Sequence, residues 1–246
     1  MKDKKWIRYS FKVINNLNKV IMGYYNDNNR NQIANFSEII TKYIGNINNG
    51  FVVDVGAHDG YKWSNSWPLI DAGWSGLLVE PHPQYCDRIN ELYKENDKVI
   101  LVESAISNYE GSTELYDGKL LTTIIKDFAE ACNDVAWARG FISGKTFNVK
   151  VSTIDKVLEE NNVKPNFEVF TLDIEGSEKE ALEGFDILKW KPKMAIVETL
   201  EKKNDHERGT LDMMDGQFYK WCDEYFNKYN YDKVWVDDVN TIYIKK

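Results

Sequence analysis

The chain has 246 residues and is 43% hydrophobic, enough for one sizeable core, and no apolar run reaches the ~18 residues of a membrane span. The net charge is −8, although residues 1–20 alone carry +5, and this acidic body argues against a nucleic-acid partner. The three widely spaced cysteines and the absence of a secretory signal pattern predict a reduced, cytoplasmic protein.

The first 50 residues are predicted to form an N-terminal helical extension. Apolar residues at spacings of three and four over 6–21 indicate an amphipathic helix. It would either dock on the main domain or lie as a basic helix on a membrane surface. A polar loop over 26–31 and a short helix over 36–45, ended by Gly45, complete the predicted extension.

From residue 51 onward, strand and helix patterns alternate. Strands are predicted over 51–56, 76–80, 99–105, 167–173 and 194–199. Helices are predicted over 64–72 and 83–95. The alternation predicts an α/β domain over 51–246 with a doubly wound, mostly parallel sheet. Residues 234–246 carry two strand patterns around a turn and predict a C-terminal antiparallel hairpin.

One segment interrupts this alternation. Residues 117–148 are too long for an ordinary connection and carry Lys119, Arg139 and Lys145. Long insertions in compact domains are often lids or substrate-binding loops, and we expect this role here.

The first predicted strand runs into a glycine turn, FVVDVGAHDG over 51–60. Dinucleotide-binding turns have the spacing G-x-G-x-x-G, so that bare backbone can touch a pyrophosphate. His58 occupies the position of the middle glycine, where a side chain obstructs that approach. The turn therefore suits a nucleoside without a pyrophosphate against the backbone.

Polar residues at the next strand ends fit the same kind of ligand. Glu80 ends the second strand, 26 residues after Asp54, where an acid usually accepts hydrogen bonds from ribose hydroxyls. Ser104 and Ala105 at the third strand suit an adenine edge. S-adenosylmethionine (SAM) fits these features, because it has a ribose diol, an adenine and two cationic groups but no phosphate. Asp54 adds negative charge beside the turn, although an acid there is also commonly a helix cap.

These residues belong to an ordered set of motifs, which are DVGAHDG, GWSGLLVEPHP (73–83), AISNYEGSTELY (105–116), VSTIDKVL (151–158) and TLDIEGSEKEALEG (171–184). The set, over about residues 50–200, resembles the FkbM-type methyltransferases. The resemblance implies a Rossmann-like class I methyltransferase fold, SAM as cofactor, and usually O-methylation of a small molecule or sugar. By position it assigns Asp54, Gly56 and Asp59 to the turn, Glu80 to the ribose, and Ser104 with Ala105 to the adenine side. The residues predicted to bind SAM are Asp54, Gly56, Ala57, His58, Asp59, Gly60, Glu80, Pro81, Ser104, Ala105 and Asp173.

Candidate catalytic groups are few. Methyl transfer to an alcohol needs a general base or a metal, and the chain has only three histidines. Asp173 stands at the end of the fourth strand, His58 lies in the turn, and His206 lies in a polar loop; His82 is expected to shape the ribose pocket. Hard donors that could together bind Mn²⁺ or Mg²⁺ are Asp173, Glu175, Glu198 and His206.

Two local patterns near the site predict structural features. Ser177 and Glu180 form a capping-box pattern, while Glu175 and Glu178 could simply favour the helix N-terminus through its dipole. Trp63 and Trp67 lie four residues apart and are expected on one helix face, either in the core or as a stacking surface for a sugar or nucleotide.

The leading hypothesis is a SAM-dependent O-methyltransferase that acts on a sugar or a nucleotide-linked precursor of a surface polysaccharide or natural product. A phosphate or phosphoramidate oxygen is a variant acceptor, which the basic residues of the insertion would suit. The alternatives are an NAD-dependent oxidoreductase and a non-catalytic nucleoside-binding module. The sequence also leaves open a homo-oligomer.

Overall fold

The computed structural model describes residues 31–135, 138–200 and 218–246. The predicted amphipathic helix over 6–21 lies outside these residues, so the division between an extension and a main domain stays a prediction. In the described part of the chain, no helix is both long and apolar enough to cross a membrane.

A seven-stranded sheet forms the centre of the fold. Its strands in chain order are β1 (Phe51–Val55), β2 (Ser75–Val79), β3 (Val99–Val102), β7 (Val169–Leu172), β8 (Met194–Glu198), β9 (Tyr231–Val236) and β10 (Asn240–Lys245). The spatial order is β3-β2-β1-β7-β8-β10-β9. The first five strands in that order are parallel, whereas β10 runs antiparallel to both β8 and β9. The predicted doubly wound α/β sheet and its C-terminal hairpin are confirmed.

Helices cover both faces of this sheet. In chain order they are α1 (Phe36–Tyr43), α2 (Trp67–Asp71), α3 (Pro83–Tyr93), α4 (Lys126–Ala131), α5 (Ile154–Glu160), α6 (Glu178–Glu183), α7 (Ile187–Trp190) and α8 (Phe218–Lys228). Val52 on β1 packs in the core with α1, α2 and α3. Its neighbour Val53 packs in the opposite core with α5 to α8. Because successive strand residues point to opposite faces, one apolar strand serves both cores.

The predicted helix over 64–72 is shorter than expected. It begins at Trp67 because Pro68, which lacks an N–H donor, fits only in the first helical turn. The Ser64 hydroxyl accepts from the backbone N–H of Trp67 at 2.9 Å and shapes the turn before the helix. Trp63 lies in that turn with φ 62° and is 44% exposed. The prediction that Trp63 and Trp67 share a helix face is therefore wrong.

A second sheet has no counterpart in the sequence-based prediction. It has the order β4-β6-β5, from β4 (Ala105–Ile106), β5 (Gly111–Tyr116) and β6 (Thr146–Ser152). The predicted strand over 99–105 ends at Val102, and Ala105 already pairs with β6. The predicted insertion connects β5 to β6 and contains a 3₁₀ turn (Lys119–Leu121) and helix α4.

Candidate active site

A cleft lies at the carboxyl ends of β1, β2 and β7, where open α/β sheets bind their ligands. The predicted site residues that line it are Asp54, Gly56, Ala57, His58, Glu80, Pro81, Ser104, Ala105, Asp173 and Glu175. The insertion contributes Leu120, Thr122, Thr123 and Ile124 to the same lining. The structure thus brings most of the predicted site together.

Gly56 allows β1 and β7 to meet at the floor of the cleft. Its φ is +91°, and a Cβ atom there would lie 1.7 Å from the carbonyl oxygen of Asp173. Asp173 donates its backbone N–H to Val55 at 3.0 Å, which holds the two strand ends together. Only glycine fits this approach, since any side chain would collide with the backbone of β7.

Glu80 joins the turn after β1 to the start of α3. One carboxylate oxygen accepts from the backbone N–H of His58, and the other accepts from that of His82, both at 2.8 Å. Burial raises the pKa of Glu80 to about 8 and outweighs the two hydrogen bonds, which lower it. Because each carboxylate oxygen can accept more than one hydrogen bond, Glu80 retains capacity for a ligand.

Asp54 is also buried, near the end of β1. Its carboxylate accepts a hydrogen bond from the hydroxyl of Ser66, the residue directly before α2. Burial raises its pKa to about 7, opposed by the Ser66 bond and assisted by the negative charge of Asp173. Asp54 therefore anchors the start of α2, although it does not cap that helix itself.

His58 occupies a strained position in the turn. Its φ is 51°, and its ring packs on Tyr85 with centroids 3.9 Å apart. Neither ring nitrogen has a hydrogen-bond partner within the described part of the chain, and Nδ1 lies 3.7 Å from a carboxylate oxygen of Asp59. A non-glycine residue held in this backbone region is uncommon and is typical of functional turns.

Ser104 lies at the corner between β3 and β4. Its hydroxyl faces the carbonyl oxygens of Ala105 at 2.8 Å and of Lys150 at 3.3 Å. The side chain thus ties the central sheet to the second sheet at the end of the cleft predicted to hold an adenine.

The loop after β7 is organised by Glu178 rather than by the predicted capping box. Glu178 is fully buried and accepts from the backbone N–H groups of Ile174 at 2.8 Å and Gly176 at 3.1 Å. Ser177 makes no side-chain capping hydrogen bond, so the prediction of a Ser177–Glu180 box is wrong. The backbone N–H groups of this loop are therefore already bonded to the buried Glu178 carboxylate.

Three of the four predicted metal ligands come together. Carboxylate oxygens of Asp173, Glu175 and Glu198 all lie within 4.8 Å of one another. Burial raises the pKa of Glu198 well above its ordinary value, and the negative charges of the neighbouring acids add to this shift. His206, the fourth predicted ligand and a candidate base, lies outside the described residues.

Other predicted groups do not line the cleft. The carboxylate of Asp59 accepts from the backbone N–H of Lys62 at 2.8 Å, and Gly60 packs on α3, so both shape the turn. His82, 1% exposed, accepts from the backbone N–H of Gln84 and caps α3. Burial lowers the pKa of His82, whereas the negative charge of Asp117 acts to raise it.

The basic residues of the insertion are likewise absent from the lining. The ammonium group of Lys119 lies 5.4 Å from the ring centroid of Phe141, and Arg139 donates to the carbonyl oxygen of Asn133. Lys145 does not line the cleft either. These contacts remove the main argument for an anionic acceptor.

Among the lining residues that were not predicted from the sequence, three make hydrogen bonds that organise the cleft. Gln32 donates to a carboxylate oxygen of Asp173 at 2.9 Å, and Asn65 donates to Gln32 at 3.0 Å. Thr123 in the insertion donates to the backbone carbonyl of Glu175 at 2.7 Å. None of the three belongs to a pattern visible along the chain, although Asn65 lies only five residues after Gly60.

Comparison with known proteins defines the class of protein. The family model described as the methyltransferase FkbM domain matches residues 54–232, which is most of the chain. The chain belongs to the FkbM methyltransferase family. It is therefore a SAM-dependent methyltransferase, as the resemblance of its motifs implied. No curated protein shows significant sequence similarity to the chain.

Solved structures with a similar fold include three methyltransferases. A precorrin-6y C5,15-methyltransferase from Geobacter metallireducens is 13% identical, with TM-score 0.42 over 85% of this chain and 87% of that one. The SAH-bound methyltransferase PaMTH1 from Podospora anserina is 12% identical, with TM-score 0.45 over 80% and 72%. A putative caffeoyl-CoA O-methyltransferase from Staphylococcus aureus is 11% identical, with TM-score 0.43 over 85% and 80%. At these identities and scores they do not bear on the substrate.

Proposed function

We propose that the protein transfers a methyl group from SAM to a hydroxyl oxygen of a small molecule, most simply a sugar or a nucleotide-linked sugar precursor. The observation that carries this proposal is the row of carboxylates at three adjacent strand ends, formed by Asp54, Glu80 and Asp173. Such a row suits the cationic groups and ribose diol of SAM, and it offers a base for an alcohol.

The residues around the glycine turn would hold the cofactor. Glu80 would accept from the ribose hydroxyls, and Ser104 with Ala105 would border the adenine. Gly56, Ala57, His58 and Pro81 would form the floor beneath the nucleoside. When bound, SAM supplies an electrophilic methyl group, so the protein mainly has to align the acceptor and remove its proton. Asp173 is the proposed base or orienting acceptor, and His58 is the alternative.

The charge of the cleft favours a hydroxyl over a phosphate or phosphoramidate oxygen. Among the described lining residues, Lys62 is the one basic side chain, against the acids Asp54, Glu80, Asp173 and Glu175. An anionic acceptor would therefore find little attraction there, and net repulsion at any pH at which Asp54 and Glu80 are ionised, unless a cation accompanied it. The same acidity supports the proposal that nucleic acid is not a substrate.

We also propose a cellular role. Formation of a surface polysaccharide or natural product follows from the resemblance alone. A cytoplasmic location is supported by the three cysteines, which are buried and unpaired. Cytoplasmic enzymes commonly keep cysteines in this reduced form.

Calorimetry with SAM, its demethylated product and NAD tests the cofactor assignment. SAM and the product should bind, whereas NAD should not, because His58 stands where NAD needs a glycine. Above about pH 8, where Glu80 is ionised, Glu80→Gln should weaken SAM binding by about 1.5–3 kcal/mol, since a charge-assisted acceptor is lost. Glu91→Gln, at an exposed position on α3, should not alter it.

Mass spectrometry of candidate sugar acceptors incubated with SAM then tests for the gain of one methyl group. Tight NAD binding without SAM binding would contradict the proposal. SAM binding without turnover of any hydroxyl acceptor would favour the alternative of a nucleoside-binding module.

A metal-assisted route is a second candidate, and the cluster of Asp173, Glu175 and Glu198 favours it. Three carboxylates at this spacing, of which Glu198 is buried, repel one another unless they share protons or bind a cation, and hard oxygen donors suit Mg²⁺ or Mn²⁺. If the cluster is catalytic, exhaustive EDTA treatment should abolish methyl transfer, and Mn²⁺ or Mg²⁺ should restore it. Full activity after chelation would leave proton removal to a side chain.

A further inference from the structure

A chain of carboxamide groups runs from Asp173 in the cleft wall to the C-terminal hairpin. Gln32 donates from Nε2 to Oδ2 of Asp173 at 2.9 Å. Its Oε1 accepts from Nδ2 of Asn65 at 3.0 Å and from Nδ2 of Asn240 at 3.2 Å. Residues far apart in the sequence, from the first described segment to β10, therefore meet beside the proposed base.

This chain fixes the orientation of Asn65. Gln32 turns its NH₂ group toward the Asp173 carboxylate and its oxygen toward the two asparagines. Both asparagines must then donate to that oxygen. The side-chain oxygen Oδ1 of Asn65 is left over, and it has no hydrogen-bond partner within the described part of the chain.

That oxygen is buried within a residue of the cleft wall. Asn65 is only 5% exposed, yet it lines the cleft together with Gln32 and Asp173. Buried polar atoms in native proteins nearly always have a partner, and one without a partner beside a cleft is a natural site for a ligand donor. The donor must carry an N–H or O–H group, since an oxygen acceptor repels a carboxylate.

The strand order indicates which part of the ligand would reach Asn65. The next residue, Ser66, donates to Asp54 on β1, and Asp173 follows β7. Glu80 follows β2, two strands away from β7 and hence about 10 Å distant. A nucleoside with its ribose at Glu80 and its base beyond β2 would extend its amino-acid chain in the opposite direction, over β1 toward Asn65.

We propose that Oδ1 of Asn65 accepts a hydrogen bond from the α-ammonium group of the cofactor's methionyl chain, and that Gln32 holds Asn65 in the required orientation. This inference rests on the proposed SAM site. An ammonium group has three N–H donors and stays charged, so it needs several acceptors when it leaves water. Asn65 provides one of them on the β1 side of the cleft.

The test compares two ligands by calorimetry, S-adenosylhomocysteine and its analogue without the α-amino group. The wild-type protein should prefer the amino-bearing ligand by about tenfold or more, as expected for a charge-assisted hydrogen bond. Asn65→Leu should reduce this preference at least about fivefold. Asn65→Asp removes the hydrogen bond to Gln32 but keeps the acceptor and adds a negative charge, so it should keep or increase the preference, which separates a lost contact from a damaged fold.

Asn240→Leu is the matched control. Asn240 also donates to Gln32 and is 1% exposed, but it does not line the cleft. Its replacement should leave the ligand preference unchanged. An unchanged preference in Asn65→Leu, or an equal loss in Asn240→Leu, would overturn the inference while the proposed function stands. Failure of the wild-type protein to bind S-adenosylhomocysteine would overturn both.

Discussion

Asp173 makes both backbone and side-chain contacts in the cleft. Its backbone N–H bonds β1, its carbonyl oxygen lies beneath Gly56, and its carboxylate accepts from Gln32. The backbone contacts belong to the fold, whereas the carboxylate is available for chemistry. A substitution that changes only the carboxylate therefore separates the two roles.

Asp173→Asn should lower kcat by about 100-fold or more, the usual contribution of a positioned acid or base. The volume is nearly kept, so the melting temperature should change little. SAM affinity should move far less than the rate, because Glu80 and the glycine turn are proposed to hold the cofactor. Calorimetry and single-turnover rates with a saturating acceptor measure both effects.

Two other results would assign Asp173 differently. A near-normal rate in this variant would reduce the residue to a structural role and leave His58 or His206 as the base to test. Loss of SAM binding along with the rate would instead place the carboxylate against the methionyl end of the cofactor.

At the scale of elements, the contact between the ends of β1 and β7 decides whether the cleft forms. Gly56→Ala would place a Cβ atom on the Asp173 carbonyl, whereas Gly45→Ala, with a similar φ of +88°, would meet nothing within 4 Å. The control Gly45→Ala should lower the free energy of unfolding only by backbone strain, about 1–2 kcal/mol. Gly56→Ala should cost at least about 2 kcal/mol more and should abolish SAM binding, because the strand ends must separate.

Chemical denaturation of both variants, together with calorimetry, measures these costs. Equal destabilisation by Gly56→Ala and Gly45→Ala would show that Gly56 is needed only for its backbone conformation. The close approach between the strands would then contribute nothing to stability.

The same scale shows what could be predicted from the sequence. Buried strands and their terminal acids are local features, so β1, β2 and Glu80 were all predicted. The second sheet was missed because β5 and β6 are separated by the insertion and pair only in three dimensions. Gln32 was missed for a similar reason, since its partner Asp173 lies 141 residues away and no local pattern joins them.

At the scale of the whole molecule, the fold buries several carboxyl groups around one end of the sheet. Burial is the largest cause of raised pKa values at Asp54, to about 7, at Glu80, to about 8, and at Glu178, to about 7. In the unfolded chain these groups return to their ordinary values near 4. The folded protein therefore holds protons that the unfolded chain releases.

This difference sets the pH dependence of stability. Between about pH 5 and 6.5 the folded state binds more protons than the unfolded state, so the free energy of unfolding should fall as the pH rises. Each acid that is protonated when folded and ionised when unfolded adds about 1.4 kcal/mol per pH unit to this slope. The loss should continue up to about pH 8, where Glu80 ionises in the folded state.

Urea denaturation at several pH values measures the slope, and Glu178→Gln, which cannot ionise, should reduce it by one such contribution. A slope that Glu178→Gln leaves unchanged would mean that Glu178 is ionised in the folded protein across this range, held so by the backbone N–H groups of Ile174 and Gly176.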